Sequence, residues 1–273
     1  MKIAFILDPL NKLKSYKDSS VAMMRAAQAR GHSVFAIRRE QLSARDGVVS
    51  ALATPLLLRD SDEVWYEALV TERLPLTVFD AVLMRQDPPF DAEYVAATWL
   101  LERAVAQGAK VWNDPRSIRD HSEKVSIAEF PEFTPTTLIA RDPAEIQAFI
   151  DEIGDVILKP LDGMGGTGIF RIRSDDPNRN AIIEMLGAEG CCTLMAQRYL
   201  PQISEGDKRV LVIGGEVMPY SLARIPKAGE TRGNLAAGGT GVAMPLSARE
   251  REVAEALAPR LWSRRLLIVG LDM

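Results

Sequence analysis

Short apolar runs alternate with longer periodic stretches along the chain, the pattern of strands alternating with helices. Residues 2–7 form a run of buried-strand type, ended by Asp8-Pro9. Asp18-Ser19-Ser20 supplies cap residues for a helix over about 20–30, stopped by Gly31, and residues 33–37 read as a second strand. This β-α-β opening predicts a parallel, Rossmann-like sheet, with ligands at the carboxyl ends of its strands. Residues 40–76 are less regular, with a short strand expected around Glu63-Val64-Trp65-Tyr66. Residues 80–85 are another buried strand. The double proline Pro88-Pro89 then forces an extended turn, and Asp91 caps a helix up to Gln107. A strand over 110–113 leads to a helix with Pro115 at its first position, expected to run to about Pro131.

A second, α+β region is expected from about residue 123. It contains a strand at 136–140, a helix from Asp142-Pro143-Ala144-Glu145 to Gly154, a helix over 180–186 and a strand over 193–201. Residues 206–217 read as a hairpin with a Gly214-Gly215 turn, its outgoing strand continuing to Arg224. Residues 225–241 hold Lys227, Arg232 and five glycines and read as a mobile, positively charged lid loop. An amphipathic helix over 247–262 and a buried strand over 266–271 follow, with Asp272 at the strand's end.

The most informative stretch lies between two apolar runs, 156–158 and 169–172. Lys159 is followed there by Gly163, Gly165, Gly166 and Gly168. Glycines let backbone N–H groups crowd a ligand, and such donors beside a lysine suit phosphate oxygens. A bare hairpin tip is the plainer alternative. Gly163, Gly165 and Gly168 satisfy G-x-G-x-x-G, but that fingerprint requires a helix to follow, and residues 169–172 alternate as a strand does. No Lys-Ser or Lys-Thr completes a Walker loop, and neither H-R-D nor D-F-G is present. A strand–glycine loop–strand lid over nucleotide phosphates remains.

Composition narrows the rest. The 273 residues are 47% hydrophobic and 26% charged, ordinary for a globular protein with two or three subdomains. A net charge of −4 gives no general attraction for nucleic acid or membrane, so an anionic ligand needs a local basic pocket. No apolar run reaches transmembrane length, the first run is too short for a signal peptide, and the chain reads as cytoplasmic. Cys191 and Cys192 are adjacent, and with His32 and His121 far apart they assemble no Cys/His metal site. Asp18 and Ser19 either hold an anionic substrate group or merely cap their helix. Arg85, at a strand's carboxyl end, is suited to gripping a carboxylate.

Five segments in order, Lys17-Asp18-Ser19-Ser20, residues 84–91, residues 157–166, residues 206–212 and residues 222–239, resemble the ATP-grasp ligases, and closely the bacterial-type glutathione synthetase family. The resemblance spans residues 1–273. It implies an α/β ATP-grasp fold with a Rossmann-like substrate-binding domain at 1–122, a lid subdomain with the glycine loop at 123–200 and a catalytic subdomain at 201–273. It implies ATP-dependent joining of γ-glutamylcysteine and glycine through an acyl phosphate, with Mg²⁺ or Mn²⁺ and a tetrameric homo-oligomer. By the same resemblance, Lys124 and Lys159 bind ATP phosphates beneath Gly163, Met164, Gly165 and Gly166. Gln197, Arg198, Tyr199 and Leu200 form the hinge beside adenine, and Asp207 lies near the ribose. Arg209 and Arg224 steady the transferring phosphoryl group and the substrate carboxylate, Arg232 closes over the acyl phosphate, and Asp18, Ser19 and Arg85 hold the dipeptide.

Asp272 matches one of the family's metal-ligand positions, whereas the following Glu-x-Asn strand is not among these residues. The expectation is therefore a shortened form with an apolar sheet edge, weakened ATP binding and low or absent turnover. Another ATP-grasp ligase, a nucleotide-binding module without catalysis and, more remotely, an NAD-dependent oxidoreductase are the alternatives.

Overall fold

A computed structural model describes residues 1–225 and 240–273. Most of the expected lid loop, with Arg232, lies outside the described residues. The chain divides into two compact units, one of Met1–Asp120 with Arg264–Leu267 and one of His121–Ser263 with Ile268–Met273. Among the described residues, no helix is long and apolar enough to cross a membrane.

The first unit runs β1 (Lys2–Ile6), α1 (Ser19–Ala29), β2 (Ser33–Arg45), β3 (Val48–Leu58), β4 (Tyr66–Ala68), β5 (Glu72–Pro75), β6 (Ala81–Met84), α2 (Ala92–Ala106), β7 (Val111–Trp112) and α3 (Pro115–Asp120). β1 lies between β2 and β6, parallel to both, and β7 continues the parallel set beyond β6. Side chains alternate across a strand, so β1 feeds two cores. Ala4 and Ile6 join Ala97, Leu101 and Ala104 of α2, while Phe5 joins Val21 and Met24 of α1. Helices thus cover both faces, as the buried-strand pattern requires.

Three expectations are corrected here. Residues 40–58 are a long hairpin rather than irregular chain: β2 continues to Arg45 and β3 returns antiparallel from Val48. Its turn is Asp46-Gly47, both at positive φ, the pair that favours tight hairpins. A register irregularity between Ile37 and Leu42 breaks the alternation that would have advertised it. The short strand expected at 63–66 begins only at Tyr66, with Trp65 buried before it. The helix from Pro115 ends at Asp120 instead of continuing to Pro131. Ser122 then starts a separate 3₁₀ turn, accepting from the Val125 and Ser126 N–H groups.

The second unit contains β8 (Thr137–Ala140), α4 (Pro143–Ile153), β9 (Asp155–Pro160), β10 (Phe170–Arg173), α5 (Arg179–Leu186), β11 (Leu194–Arg198), β12 (Asp207–Ile213), β13 (Glu216–Ile225), β14 (Thr240–Pro245), α6 (Ala248–Ser263) and β15 (Ile268–Asp272). One antiparallel sheet has the order β10-β9-β11-β8, and Ile146, Ile150 and Ile183 of α4 and α5 pack with its Val156, Leu158 and Ile172. The other has the order β14-β13-β12-β15, with α6 against β12 and β13. Thr240 and Gly241, expected in the loop, open strand β14 because their backbone pairs with Ile225 and Arg224.

Between α6 and β15 the chain returns to the first unit. Arg265 lies 4.8 Å over the Trp112 ring and 3.5 Å from the Asp114 carboxylate, and Leu267 packs beside Phe5 and Leu83.

Candidate active site

β9 and β10 pair antiparallel, Leu158 opposite Phe170, so the glycine loop joins two strands. No helix follows Gly168, which removes the dinucleotide-fingerprint reading and the oxidoreductase with it. Gly165 and Gly166 sit at φ of 63° and 85°, a left-handed pair that side chains resist. The turn closes with Thr167 N–H donating to the Met164 carbonyl at 3.1 Å. Gly163 is needed for a different reason: a Cβ there would stand 2.9 Å from Pro160 Cγ and 3.1 Å from the Thr167 carbonyl oxygen. The proline ring cannot rotate away, so Gly163→Ala must shift the loop. The expected result is roughly tenfold weaker nucleotide binding by calorimetry, with a nearly unchanged melting curve.

Lys124 sits beneath this loop, its side chain 15% exposed. Its ammonium donates to the carbonyls of Leu161 and Gly163 at 3.0 and 2.8 Å and to the Glu123 carboxylate at 2.8 Å. Those bonds use all three of its protons, so in the free protein Lys124 ties the loop down. Lys159 lies nearby on β9. Burial, followed by the positive charge of Lys124, pushes its pKa from 10.5 down to about 8, against the opposing pull of Asp272 and Glu123.

Gln197 and Arg198 end β11 beside β9, and Tyr199 and Leu200 follow directly. Gln197 donates to Thr137 Oγ1 at 2.9 Å, Arg198 N–H to the Thr136 carbonyl and Tyr199 N–H to the Asp155 carbonyl, while Leu200 is exposed. Sequence reasoning missed what shapes this segment. Arg171 stacks on the Tyr199 ring at 3.7 Å and forks onto Asp155 at 2.9 and 2.6 Å, holding that carboxyl below its ordinary range.

The third group stands on one face of the second sheet. Register places Arg209 of β12 opposite Asp272 of β15, and Asp207 of β12 opposite Arg224 of β13. Arg209 binds Asp272 in a fork, 2.7 Å at both contacts. Arg224 forks onto Asp207 and reaches Asp272 at 3.0 Å. For Asp272, burial alone would raise the pKa, but the hydrogen bond and charge of Arg209, aided by Arg224, prevail and hold it below the ordinary carboxylate range. Two residues outside the sequence reading matter here: Gly270, which leaves room for Arg209 across the strand, and the Lys208–Glu250 pair at 2.8 Å on α6's first turn.

In the first unit, Asp18 is a working helix cap, accepting from Ser20 and Val21 N–H groups at 2.7 and 3.1 Å. Arg85 donates to Ser19 Oγ at 3.0 Å and to Ser20 Oγ at 3.3 Å, so it meets Ser19 on the helix turn that Asp18 caps. Beside them opens a cleft of about 500 Å³ lined by Tyr16, Lys17, Asp18, Ser19 and Arg25.

Residues 1–119 match the family described as "Prokaryotic glutathione synthetase, N-terminal domain", and residues 123–273 match "Prokaryotic glutathione synthetase, ATP-grasp domain". The chain belongs to the prokaryotic glutathione synthetase family. It is 56% identical to the glutathione synthetase of Ralstonia nicotianae over 273 residues, covering 100% of this chain and 84% of the relative. It is 57% identical to that of Nitrosomonas europaea over 276 residues, covering 100% and 86%. Solved structures share the fold at low identity. D-cycloserine synthetase gives a TM-score of 0.65 at 14% identity over 100% of this chain and 86% of that one. A RimK-domain ATP-grasp protein of Sphaerobacter thermophilus gives 0.62 at 19%, over 100% and 85%.

A member of the glutathione synthetase family is an ATP-dependent ligase that forms glutathione and uses ATP with a divalent cation. The described residues do not fit such a cation as they stand. None of them gathers three or more His, Cys, Asp or Glu side chains, and both oxygens of Asp272 are taken by arginines.

Proposed function

We propose that this member of the glutathione synthetase family divides its chemistry among the groups above, and that the glycine loop and the guanidinium pair of the second unit carry the phosphoryl transfer. The observation supporting this is that Lys124 binds the carbonyls of the glycine loop while buried Lys159 feels both Lys124 and Asp272, the carboxylate that Arg209 and Arg224 share. The cysteine carboxylate of γ-glutamylcysteine attacks the γ-phosphorus of ATP and ADP departs. The glycine amine then attacks the acyl carbon, and phosphate leaves as the amine loses its proton. Each step crowds anions together, which fixed cations offset and bulk water would undo.

Lys159 and the N–H groups of Gly163, Met164, Gly165 and Gly166 hold the phosphate chain. Lys124 keeps the loop in place and turns a proton toward phosphate when one of its carbonyl bonds opens. Gln197 to Leu200 border the adenine, and Asp207 reaches the ribose side. Arg209 and Arg224 orient the transferring group and the substrate carboxylate, with Arg232 contributing from outside the described residues. Asp18, Ser19 and Arg85 receive the dipeptide. The divalent cation would be Mg²⁺, with Mn²⁺ as substitute, and would supply positive charge to the phosphates. The enzyme works in the cytoplasm as a homo-oligomer, a tetramer by family likeness, with neither nucleic acid nor membrane as partner.

The test is ADP release with ATP, Mg²⁺ and γ-glutamylcysteine, with and without glycine. Glycine-dependent release is expected. ATP binding without any ADP release would favour a nucleotide-binding module instead, a reading that the commitment of Asp272 to two arginines keeps in play.

A further inference from the structure

We infer that Asp272 is an internal counter-anion: in the free protein its carboxylate fills the guanidinium forks of Arg209 and Arg224, and an anionic ligand binds there by displacing it. This rests on the function proposed above, in which those forks receive the phosphoryl group.

Strand register builds the arrangement. β12 runs between β13 and β15, and Asp207 and Arg209, two residues apart, point to the same face. Arg224 on one side and Asp272 on the other complete a ring of two cations and two anions across three strands. Its net charge is zero, so the two arginines present no surplus positive charge to a phosphate while Asp272 stays in place.

The two carboxylates are not equivalent. Arg224 is 6% exposed and its partner Asp207 22%, whereas Arg209 and Asp272 are 44% and 45% exposed. A pair wetted on both sides is held weakly, and one buried at its cationic end is held firmly. Asp207 takes the whole fork of buried Arg224, whereas Asp272 meets that guanidinium through one contact and otherwise pairs with half-exposed Arg209, so Asp207 is the fixed partner and Asp272 the exchangeable one. Gly270 favours the exchange geometry. Arg209 lies flat over it, and a Cβ there would stand 3.2 Å from Arg209 Cδ and 3.3 Å from Nε. The bare strand lets the guanidinium keep its seat as the carboxylate leaves and phosphate oxygens arrive with matching fork geometry.

The experiment is calorimetric titration of the full chain with inorganic tripolyphosphate, in chelator, for wild type, Asp272→Asn, Asp272→Glu, Arg209→Met and the double variant Arg209→Met/Asp272→Asn. Asp272→Asn should bind about tenfold tighter than wild type, the scale of one charged hydrogen bond released from competition. Asp272→Glu, which keeps the charge, should stay close to wild type, and adding Arg209→Met should cancel the gain. Tighter binding is not what loss of a merely structural contact gives. If Asp272→Asn binds no tighter while Arg209→Met weakens the wild type, the counter-anion is wrong and the proposed function stands. A gain that survives Arg209→Met also overturns it. If Arg209→Met changes nothing in either background, the assignment of Arg209 to the anion fails and takes the inference with it.

Discussion

Replacing Arg224 by methionine should lower the melting temperature by roughly ten degrees and abolish ligase turnover. The guanidinium is nearly inaccessible and serves Asp207 and Asp272 together. Its removal leaves one partly buried carboxylate without its fork and a second with half its support. Breaking a buried pair from one side costs about 3–5 kcal/mol, and for a domain of this size each kcal/mol corresponds to about 2–4 °C. Arg209→Met is the matched control. Its side chain and that of Asp272 are each nearly half exposed, so the stability cost should be about 0–1 kcal/mol, with turnover still lost. Calorimetric melts of the two variants should therefore separate widely while their activities fall together. Equal melts would mean that the charges act independently and that the buried fork gives no extra support.

The second large effect is expected at Lys159, and it runs in opposite directions for folding and for binding. Lys159→Met should raise the stability of the free protein by about 1 kcal/mol, the gain typical of relieving a strained functional position. It should weaken nucleotide binding about a hundredfold, the loss of a charge-assisted contact to phosphate. The cause is the burial of an ammonium beside Lys124, which lowers its pKa from 10.5 to about 8. Between those two values the unfolded chain carries more protons than the folded one. This group therefore makes the free protein more stable as pH rises through that window, and its full cost is present below about pH 8. Phosphate reverses the preference. Nucleotide binding near pH 8 should take up a proton, and affinity should decline as pH climbs beyond it. Titration in two buffers of different ionisation enthalpy reads that proton directly, and Lys159→Met should abolish it. Buffer-independent heats in the wild type would show that Lys159 is not where the proton goes.

What was legible beforehand follows a physical division. Gly163, Gly165 and Gly166 announce themselves because only glycine tolerates the close approach and the left-handed backbone of that loop. Asp18 and Asp91 announce themselves because capping is a contact between residues two or three apart. The pairing of Arg209 with Asp272 spans 63 residues of sequence and exists only because β15 lies beside β12 in one register. A shift of one residue would turn Asp272 to the other face. The fork of Arg171 on Asp155 beneath Tyr199 was equally hidden, since each member alone reads as an ordinary strand residue. Likeness alone marks Lys124 as a phosphate ligand, whereas its three-proton hold on the loop depends on where the carbonyls lie. The Asp46-Gly47 hairpin carries a local signal that the irregular register of β2 obscures.

Vectorial synthesis gives the threading of residues 264–267 a further meaning. The first unit is complete only when Leu267 reaches the cluster holding Phe5 and Leu83, and when Arg265 covers Trp112 and meets Asp114. On the ribosome those early strands must wait, with that apolar patch uncovered, until the whole second unit up to α6 has been made. Nascent chains stalled just before Arg264 would be the most exposed to chaperones and proteases, and release of the next few residues would cover that patch.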